Sequence, residues 1–352
     1  MATKPRRLRA SGAQGKNPTL LDVARHAGVG WITASRALRE PNKVSAALRA
    51  RVQTAVDELG YIANQVASGL ASGSSRVVPV LIPTLAHSVF VPFLEGVHAE
   101  LDKHGYEVLL GTTEYDAATE ARLIATLLGW FPAGLLIAGV DHSAPARRRL
   151  EQAVKLGLPV IEFMDLTDEP LDLNVGLSHP AVGAAVADYL AGKGYRHIAY
   201  AGTMATLDHR STRRLQGFRA ALAARGLAHH YELRSEESFS FGLGGRLLGR
   251  LLEAHPQIEA IFFANDDLAA GALFEAQRRG IVVPRALALI GFNDLEISSA
   301  AVPSISSVNI DQLGMGRTVA QLLIERINNK TCERTRIDTA FRIIERDSTR
   351  MG

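Results

Sequence analysis

Residues 19–38 have the sequence TLLDVARHAGVGWITASRAL, which contains two short helical patterns only three residues apart. Thr19, followed three residues later by Asp22, is a typical helix start, because the two side chains can cap the first turn. Gly28 predicts the end of that helix, since a residue without Cβ adopts a tight turn at little cost. A second helix is predicted over residues 31–38. The short connection favours a helix-turn-helix over a β-hairpin.

A third helix completes this unit. Ser45 can cap a helix over residues 46–59, and the apolar residues predicted to seal the small core from that helix are Leu48, Val52, Val56 and Leu59. We therefore expect an all-α helix-turn-helix DNA-binding domain over residues 18–62. Its second helix would be free to enter a major groove.

This segment resembles the DNA-binding domain of the lac repressor family, and the whole chain resembles the gluconate-repressor branch of that family. The matching residues are Thr19-Leu20, Asp22-Val23-Ala24, Ala27-Gly28-Val29, Thr33-Ala34-Ser35-Arg36, Val44-Ser45, Leu59-Gly60-Tyr61-Ile62, Asn64 and Leu70-Ala71. Gly30 departs from the pattern, because the family usually has Ser or Thr there to cap the recognition helix. Glycine is a weaker but acceptable cap.

The resemblance implies which residues of the second helix contact DNA. Trp31, Ile32 and Arg36 occupy the positions that reach base edges. The guanidinium of Arg36 has the fork geometry for guanine, and Ile32 offers apolar contact, as to a thymine methyl group. For Trp31, packing on the sugar and backbone is the alternative. Phosphate contacts, which position a protein without specifying sequence, are expected from Thr33, Ser35 and the helix N-termini, including Thr19.

Residues 63–75 are predicted to form a hinge helix and linker. Asn64 can cap a helix over residues 64–71, but so short a segment containing Gly69 is not stable alone in water. The resemblance implies that the segment folds on operator DNA, where two copies lie side by side and Leu70 wedges between base pairs of the minor groove. Paired hinges require a homodimer on a pseudo-palindromic operator. A plain linker is the alternative interpretation.

Charge is unevenly divided along the 352 residues. Residues 1–76 contain 12 Lys and Arg against 4 Asp and Glu, whereas the remainder carries 27 basic and 32 acidic residues. Residues 1–17 are predicted to be a disordered basic arm that adds nonspecific affinity for DNA. The single cysteine, Cys332, excludes an internal disulfide framework. With no leader peptide and no apolar membrane span, we expect a cytoplasmic protein without membrane partners.

From residue 76 onward, apolar strands alternate with amphipathic helices, which is typical of parallel α/β layers. The predicted strands are residues 77–82, 107–112, 134–138, 159–163, 197–201, 260–264 and 287–291. By resemblance, residues 76–352 form an α/β two-lobed core like a type I periplasmic binding protein. The N-lobe is predicted over 76–177 and 309–335. The C-lobe is predicted over 178–308 and 336–352, with a last strand over residues 336–345.

Polar residues follow several predicted strands, and ligands of parallel sheets gather at those carboxyl ends. Arg214 matches the family arginine that grips the sugar. The residues proposed to bind an effector are Ser88, Phe90, Asp165, Arg214, Phe239, Asn265 and Asn293. Asp165, Asp266 and Asp294 could each be a loop brace instead, and we favour that role for Asp266. Asn293, an amide where the lac repressor has aspartate, suits an anionic ligand. Gluconate is favoured by resemblance, with 2-ketogluconate open.

Enzyme classes find little support. The chain contains no dinucleotide-binding, P-loop or zinc-protease motif, so we expect no catalytic residue, cofactor or metal. The favoured function is a sequence-specific transcriptional repressor of sugar-acid catabolic genes, released from its operator by a small effector. The alternatives are a solute-binding protein or a corepressor-dependent regulator of the same fold.

Overall fold

The computed structural model describes residues 18–62, 75–203, 209–227, 231–328 and 334–350. The chain divides into two compact units, residues 1–72 and 73–352. The predictions for the basic arm and for the hinge, including Asn64 and Leu70, lie outside the described residues.

The described residues of the first unit, 18–62, form three α-helices. They are α1 (Leu20–His26), α2 (Trp31–Arg39) and α3 (Ala46–Leu59), with a 3-10 turn at Pro41–Lys43 before α3. The side chain of Thr19 accepts from the backbone N–H of Asp22, whose carboxylate accepts from the N–H of Thr19 in return. Gly28 has φ +62°, which is the left-handed turn predicted for it. Ser45 caps α3 through the N–H of Leu48.

The core of this unit is small and made largely of valine and alanine. Val23, Ala37 and Val52 are almost fully buried at its centre, and Val56 and Leu59 pack against them. Leu48 differs from the prediction, because it is half-buried and lies outside this cluster. Leu48 lies in the first turn of α3, close to the capping residue Ser45.

The N-lobe of the second unit contains a parallel sheet. Its elements are β1 (Val77–Ile82), α4 (Phe90–Asp102), β2 (Glu107–Thr112), α5 (Ala117–Leu128), β3 (Leu135–Ala138), α6 (Ala144–Lys155), β4 (Val160–Phe163) and β5 (Leu173–Gly176). The strand order is β2-β1-β3-β4-β5, followed by a sixth strand from the C-terminal region. Buried runs such as VVPVLI in β1 are typical of strands covered by helices on both faces.

The C-lobe repeats this design. Its elements are α7 (His179–Gly192), β6 (Ile198–Thr203), α8 (His209–Ala224), β7 (Glu232–Ser235), α9 (Phe241–Ala254), β8 (Ala260–Phe263), α10 (Asp266–Arg278), β9 (Ala288–Asn293), α11 (Glu296–Ala300) and β10 (Ser306–Asn309). The order β7-β6-β8-β9-β10 matches that of the first sheet, and all these pairings are parallel. The chain then forms α12 (Gln312–Ile327), which packs on α4 in the N-lobe.

The C-terminal region corrects one prediction. Residues 336–345 are not a single C-lobe strand. They form β11 (Arg336–Asp338), which pairs with β5 of the N-lobe, and β12 (Arg342–Ile344), which pairs antiparallel with β10 of the C-lobe. Ala340, with φ +57°, lies in the turn between them. The last crossing between lobes therefore occurs at residues 339–341, and not at 335–336.

Two glycines bring α7 and α8 unusually close. A Cβ on Gly183 would lie 1.9 Å from the carbonyl oxygen of Arg214, and one on Gly217 would lie 2.0 Å from that of Pro180. No side chain larger than hydrogen fits at either place without a shift of backbone. This contact sets the depth at which α8 lies in the C-lobe, and with it the position of the Arg214 side chain.

Within the residues that the structure describes, no helix has the length and apolar character needed to cross a membrane.

Candidate functional site

A cavity of about 590 Å³ lies between the two lobes, at the carboxyl ends of their strands. That volume includes space that is open to solvent. The sequence-predicted residues that line it are Ser88 and Phe90 from the N-lobe, with Arg214, Phe239, Asn265 and Asn293 from the C-lobe. His87, Tyr115, His179, Arg210, Asp267 and Phe292 also line it and were not in the predicted set. The cavity thus joins polar and aromatic groups from both lobes.

Arg214 is held rigidly at the wall of this cavity. It is only 5% exposed, and its guanidinium lies 3.9 Å from the centre of the Phe292 ring. Nη1 donates to His179 Nδ1 at 3.0 Å, and Nη2 donates to the carbonyl oxygen of Ala264 at 3.1 Å. A guanidinium fixed by stacking and by two hydrogen bonds presents its remaining donors in one direction.

His179 connects Arg214 to the opposite lobe. Its Nε2 lies 3.0 Å from the carbonyl oxygen of Met164, which follows β4 of the N-lobe. Because Arg214 can only donate, Nδ1 must accept and Nε2 must carry the proton. Complete burial, together with the positive charge of Arg214, holds the pKa of His179 well below its ordinary value. The imidazole is therefore neutral, as this hydrogen-bond arrangement requires.

Three polar residues follow strands of the C-lobe at the cavity. Oδ1 of Asn265 caps α10 by accepting from Leu268, which leaves its NH₂ group able to donate to a ligand. Asp267, on the first turn of α10, offers carboxylate oxygens to hydroxyl groups. Asn293 has φ +109°, a backbone conformation rare for any residue but glycine, and Gln312 donates to its carbonyl at 2.5 Å. Such conformations occur often at ligand sites.

Aromatic side chains supply the apolar surface. Phe239 and His87 approach each other from opposite lobes, with ring centres 4.9 Å apart, and both line the cavity. Phe90 lies at the start of α4 and is 3% exposed. A carbohydrate needs such flat apolar surface for its C–H groups beside donors and acceptors for its hydroxyls.

Asp165 is the exception among the predicted effector residues, because it does not line the cavity. Its carboxylate accepts from Arg213 and from the backbone N–H of Leu166. Arg213 also contacts both carboxylate oxygens of Asp141, at 2.6 and 2.8 Å. Burial raises the pKa of Asp165, and the charge of Arg213 opposes that shift. Asp165 therefore anchors an ion pair between the lobes instead of reaching the cavity.

Asp266 and Asp294 brace loops. Asp266 is fully buried and accepts from Ser307 Oγ at 2.6 Å and from the N–H of Leu295 at 2.7 Å, which is the role that the sequence favoured. Asp294 forms an ion pair with Arg346 at 2.7 Å and accepts a hydrogen bond from Asn309 at 3.0 Å. These contacts fix the loop after β9 and hold Asn293 at the cavity.

The first unit presents a second candidate surface, on α2. Trp31 and Ile32 are 59% and 56% exposed, although both are large and apolar. Arg36 is exposed one turn later, while Ala34 and Ala37 face the core. Two exposed apolar side chains next to an arginine suit contact with base edges in a groove. Thr33 and Ser35 lie on the same helix, and Thr19 caps the start of α1.

In the described ranges, no group of three or more His, Cys, Asp or Glu side chains is placed to hold a metal ion.

Comparison with known proteins gives a consistent result. A family model described as bacterial regulatory proteins, lacI family, matches residues 19–64, and one for a periplasmic binding protein-like domain matches residues 187–349. The HTH-type transcriptional regulator GntR of Pseudomonas aeruginosa is 43% identical over 334 residues, which cover 94% of this chain and 96% of that protein.

Solved structures agree with this relationship and confirm the predicted fold class. A LacI-family transcriptional regulator from Silicibacter pomeroyi has a TM-score of 0.89 at 33% identity, covering 95% of this chain and 100% of that one. A complex of the transcriptional regulator CelR with cellobiose has a TM-score of 0.67 at 29% identity, covering 94% and 99%. Family membership over nearly the whole chain removes the solute-binding alternative. The chain belongs to the LacI family of bacterial regulatory proteins, and it is a DNA-binding transcriptional regulator rather than an enzyme.

Proposed function

We propose that this regulator is a cytoplasmic repressor of sugar-acid catabolic genes, and that a sugar acid such as gluconate or 2-ketogluconate, bound between the lobes, releases it from its operator. The observation that carries the proposal is the cavity itself, where Arg214, Asn265 and Asn293 face Ser88 of the other lobe. The resemblance to the gluconate-repressor branch selects the ligand class. The relative CelR, in complex with cellobiose, is a precedent for a carbohydrate ligand.

The polar groups of the cavity match the chemistry of a linear polyhydroxy acid. The amide of Asn293 can donate to and accept from vicinal hydroxyls, and the NH₂ group of Asn265 can donate to them. The carboxylate of Asp267 can accept hydrogen bonds from hydroxyl groups, and the arginines favour a negatively charged ligand. The aromatic rings of Phe239 and Phe292 would cover the carbon chain of the ligand.

Coupling to DNA is proposed to act through the arrangement of the lobes. The lobes already contact each other through Arg213 with Asp141 and Asp165, through His87 with Phe239, and through His179 with Met164. A ligand that touches both lobes stabilises one relative position of them. It weakens DNA binding only if it binds the DNA-free arrangement more tightly than the DNA-bound one.

The DNA-binding half of the proposal follows the predicted residues. Trp31, Ile32 and Arg36 would contact bases, and Thr19, Thr33 and Ser35 would contact phosphates. In a homodimer, the hinge residues Asn64 and Leu70 of both chains would meet at the centre of a pseudo-palindromic operator. Loss of their correct spacing is the proposed route of release.

An operator recovered by in vitro selection from random duplexes allows the proposal to be tested. Its affinity for the full chain, followed by fluorescence anisotropy, should fall at least about tenfold in the presence of saturating gluconate, a coupling typical of allosteric proteins. Glucitol, which lacks the carboxylate, serves as the control ligand. Tightening of the complex would instead favour the corepressor alternative, and no change with any aldonate would refute the proposed effector class.

Arg36→Ala is expected to weaken binding to the selected operator by about 10- to 100-fold, because a bidentate contact to guanine contributes about 1–3 kcal/mol of discrimination. Arg36 is exposed and caps no helix, so the fold of the first unit should survive. Nonspecific duplex of equal length provides the control, and its affinity should change only a few-fold. A uniform loss on both duplexes would assign Arg36 to a phosphate instead.

A further inference from the structure

Three arginines on the first two turns of α8 have different partners, and the difference identifies one of them as a ligand group. Arg213 is committed to protein carboxylates. Its guanidinium spans from Asp141 to Asp165, so its charge is balanced by two anions of the opposite lobe. It does not line the cavity between the lobes. Arg213 therefore has no donor directed at a ligand there.

Arg214 lines the cavity but is already engaged by three contacts. Phe292 stacks on its guanidinium, and His179 and Ala264 each accept one of its hydrogen bonds. The plane of the group is fixed by these neighbours. Each terminal nitrogen of Arg214 therefore already donates one hydrogen bond to the protein.

Arg210 lines the same cavity in a half-buried position. Among the residues that the structure describes, its guanidinium has no hydrogen bond and no ion pair, although its charge, like that of Arg213, opposes the rise that burial causes in the pKa of Asp165. Its charge is nevertheless close to the site, because it lowers the pKa of buried His179, along with burial and Arg214. Both arms of its fork are thus available, in a place where partial burial strengthens electrostatic attraction.

The surroundings of Arg210 also give a ligand carboxylate a direction. Arg210 and Tyr115 separate the main cavity from a second one of about 450 Å³. The second cavity is lined by three carboxylates, those of Asp116, Glu120 and Asp141, beside His209 and Arg210. Among the lining residues, the main cavity has one carboxylate, that of Asp267, against three in the second, so we place an acidic group attracted to Arg210 on the side of the main cavity.

We propose that Arg210 is the residue that binds the effector carboxylate, through a bidentate pair, and that it determines the preference for sugar acids over neutral sugars. The inference rests on the proposed function, since it concerns the same cavity. Arg214 donates to hydroxyl oxygens of the bound acid, and Asn265, Asp267 and Asn293 bind the rest of the polyol. The acid group thus meets the one cationic fork at the cavity that has no partner among the described residues.

Isothermal titration of the full chain with sodium gluconate and with D-gluconamide, its uncharged analogue, tests this assignment. The parent should bind gluconate more tightly. Arg210→Gln should weaken gluconate binding by about 10- to 100-fold, the range for hydrogen bonds to charged groups, and leave gluconamide binding within about twofold. Arg219→Gln is the matched control. Arg219 lies on the same helix and pairs with Glu232 near the surface, so both affinities should be unchanged.

Arg210→Lys keeps the charge without the fork, and its preference for the acid should fall between those of the parent and Arg210→Gln. This variant also provides a test if the glutamine variant is unstable. A gluconate-to-gluconamide affinity ratio that stays at the parent value in both variants would overturn the inference alone. Loss of that ratio in Arg214→Gln but not in Arg210→Gln would also overturn it, and would assign the carboxylate to Arg214. Binding of neither compound by the parent would refute the proposed function as well.

Discussion

Replacing Arg214 with alanine should lower gluconate affinity by at least about 100-fold and abolish the response of operator binding to gluconate. The expected loss is large because the side chain is almost fully buried and forms part of the cavity wall. Its removal also deletes the partner of His179 Nδ1 and the cation over Phe292. Buried hydrogen bonds to a charged group contribute about 1.5–3 kcal/mol each. Titration calorimetry with gluconate and anisotropy with the selected operator measure the two effects separately.

Operator affinity without effector should stay within about twofold of the parent, because Arg214 belongs to the core unit and α2 to the other. Arg219→Ala is the control, since it removes an arginine of the same helix whose side chain is 43% exposed. That variant should keep both the affinity for gluconate and the response. An unchanged gluconate dissociation constant in Arg214→Ala would show that Arg214 is not part of the binding site.

The helices of the first unit were predicted closely from sequence because their ends are determined locally. Thr19 with Asp22, and Ser45 with Leu48, satisfy backbone groups within three residues. Gly60, with φ +61°, follows Leu59, which is the last residue of α3 both in the structure and in the sequence prediction. Caps of this kind depend little on the rest of the chain, so a single sequence contains what is needed to locate them.

Three short strands of the core, β5, β7 and β10, were not predicted, and β10 shows how distant residues decide such a strand. β10 has the sequence SSVN, which shows no apolar alternation, yet its serines are fully buried. Ser306 bonds to Ser348 and Thr349 at 2.8 and 2.6 Å, and Ser307 bonds to Asp266. Buried hydroxyls are tolerated when partners satisfy them, and here each partner lies about forty residues away along the chain. Residues 336–344 likewise contribute one strand to each of the two sheets, because the strands they pair with are distant in sequence.

The candidate site likewise contains residues that the sequence predicted and residues that it did not. Asn265 and Asn293 were predicted because polar residues after parallel strands converge at one edge of a sheet. His179 and Arg213 were missed, since their partners lie between 15 and 72 residues away, and no local motif marks them. Asp165 was assigned correctly to a strand end. Its carboxylate is nevertheless taken by Arg213, which the sequence pattern did not reveal.

Gly183→Ala is expected to lower the free energy of unfolding of the core by about 3 kcal/mol or more, the upper range for overpacking. Its Cβ would lie 1.9 Å from the carbonyl oxygen of Arg214, and 2.6 Å from the backbone nitrogen of Phe218. Neither atom can turn away as a side chain could, so α7 and α8 must move apart. Because α8 carries Arg214, gluconate affinity should fall together with stability.

Gly192→Ala offers a control on the same helix, because nothing lies within 4 Å of a Cβ at that position and its φ is not in the left-handed region. Alanine there should be neutral or stabilise by up to about 1 kcal/mol through helix propensity. Urea unfolding followed by circular dichroism, with gluconate titrations at 25 °C, measures both quantities. Equal stability of the two variants would mean that α7 and α8 can separate freely. The close helix contact would then not be what fixes Arg214 at the cavity.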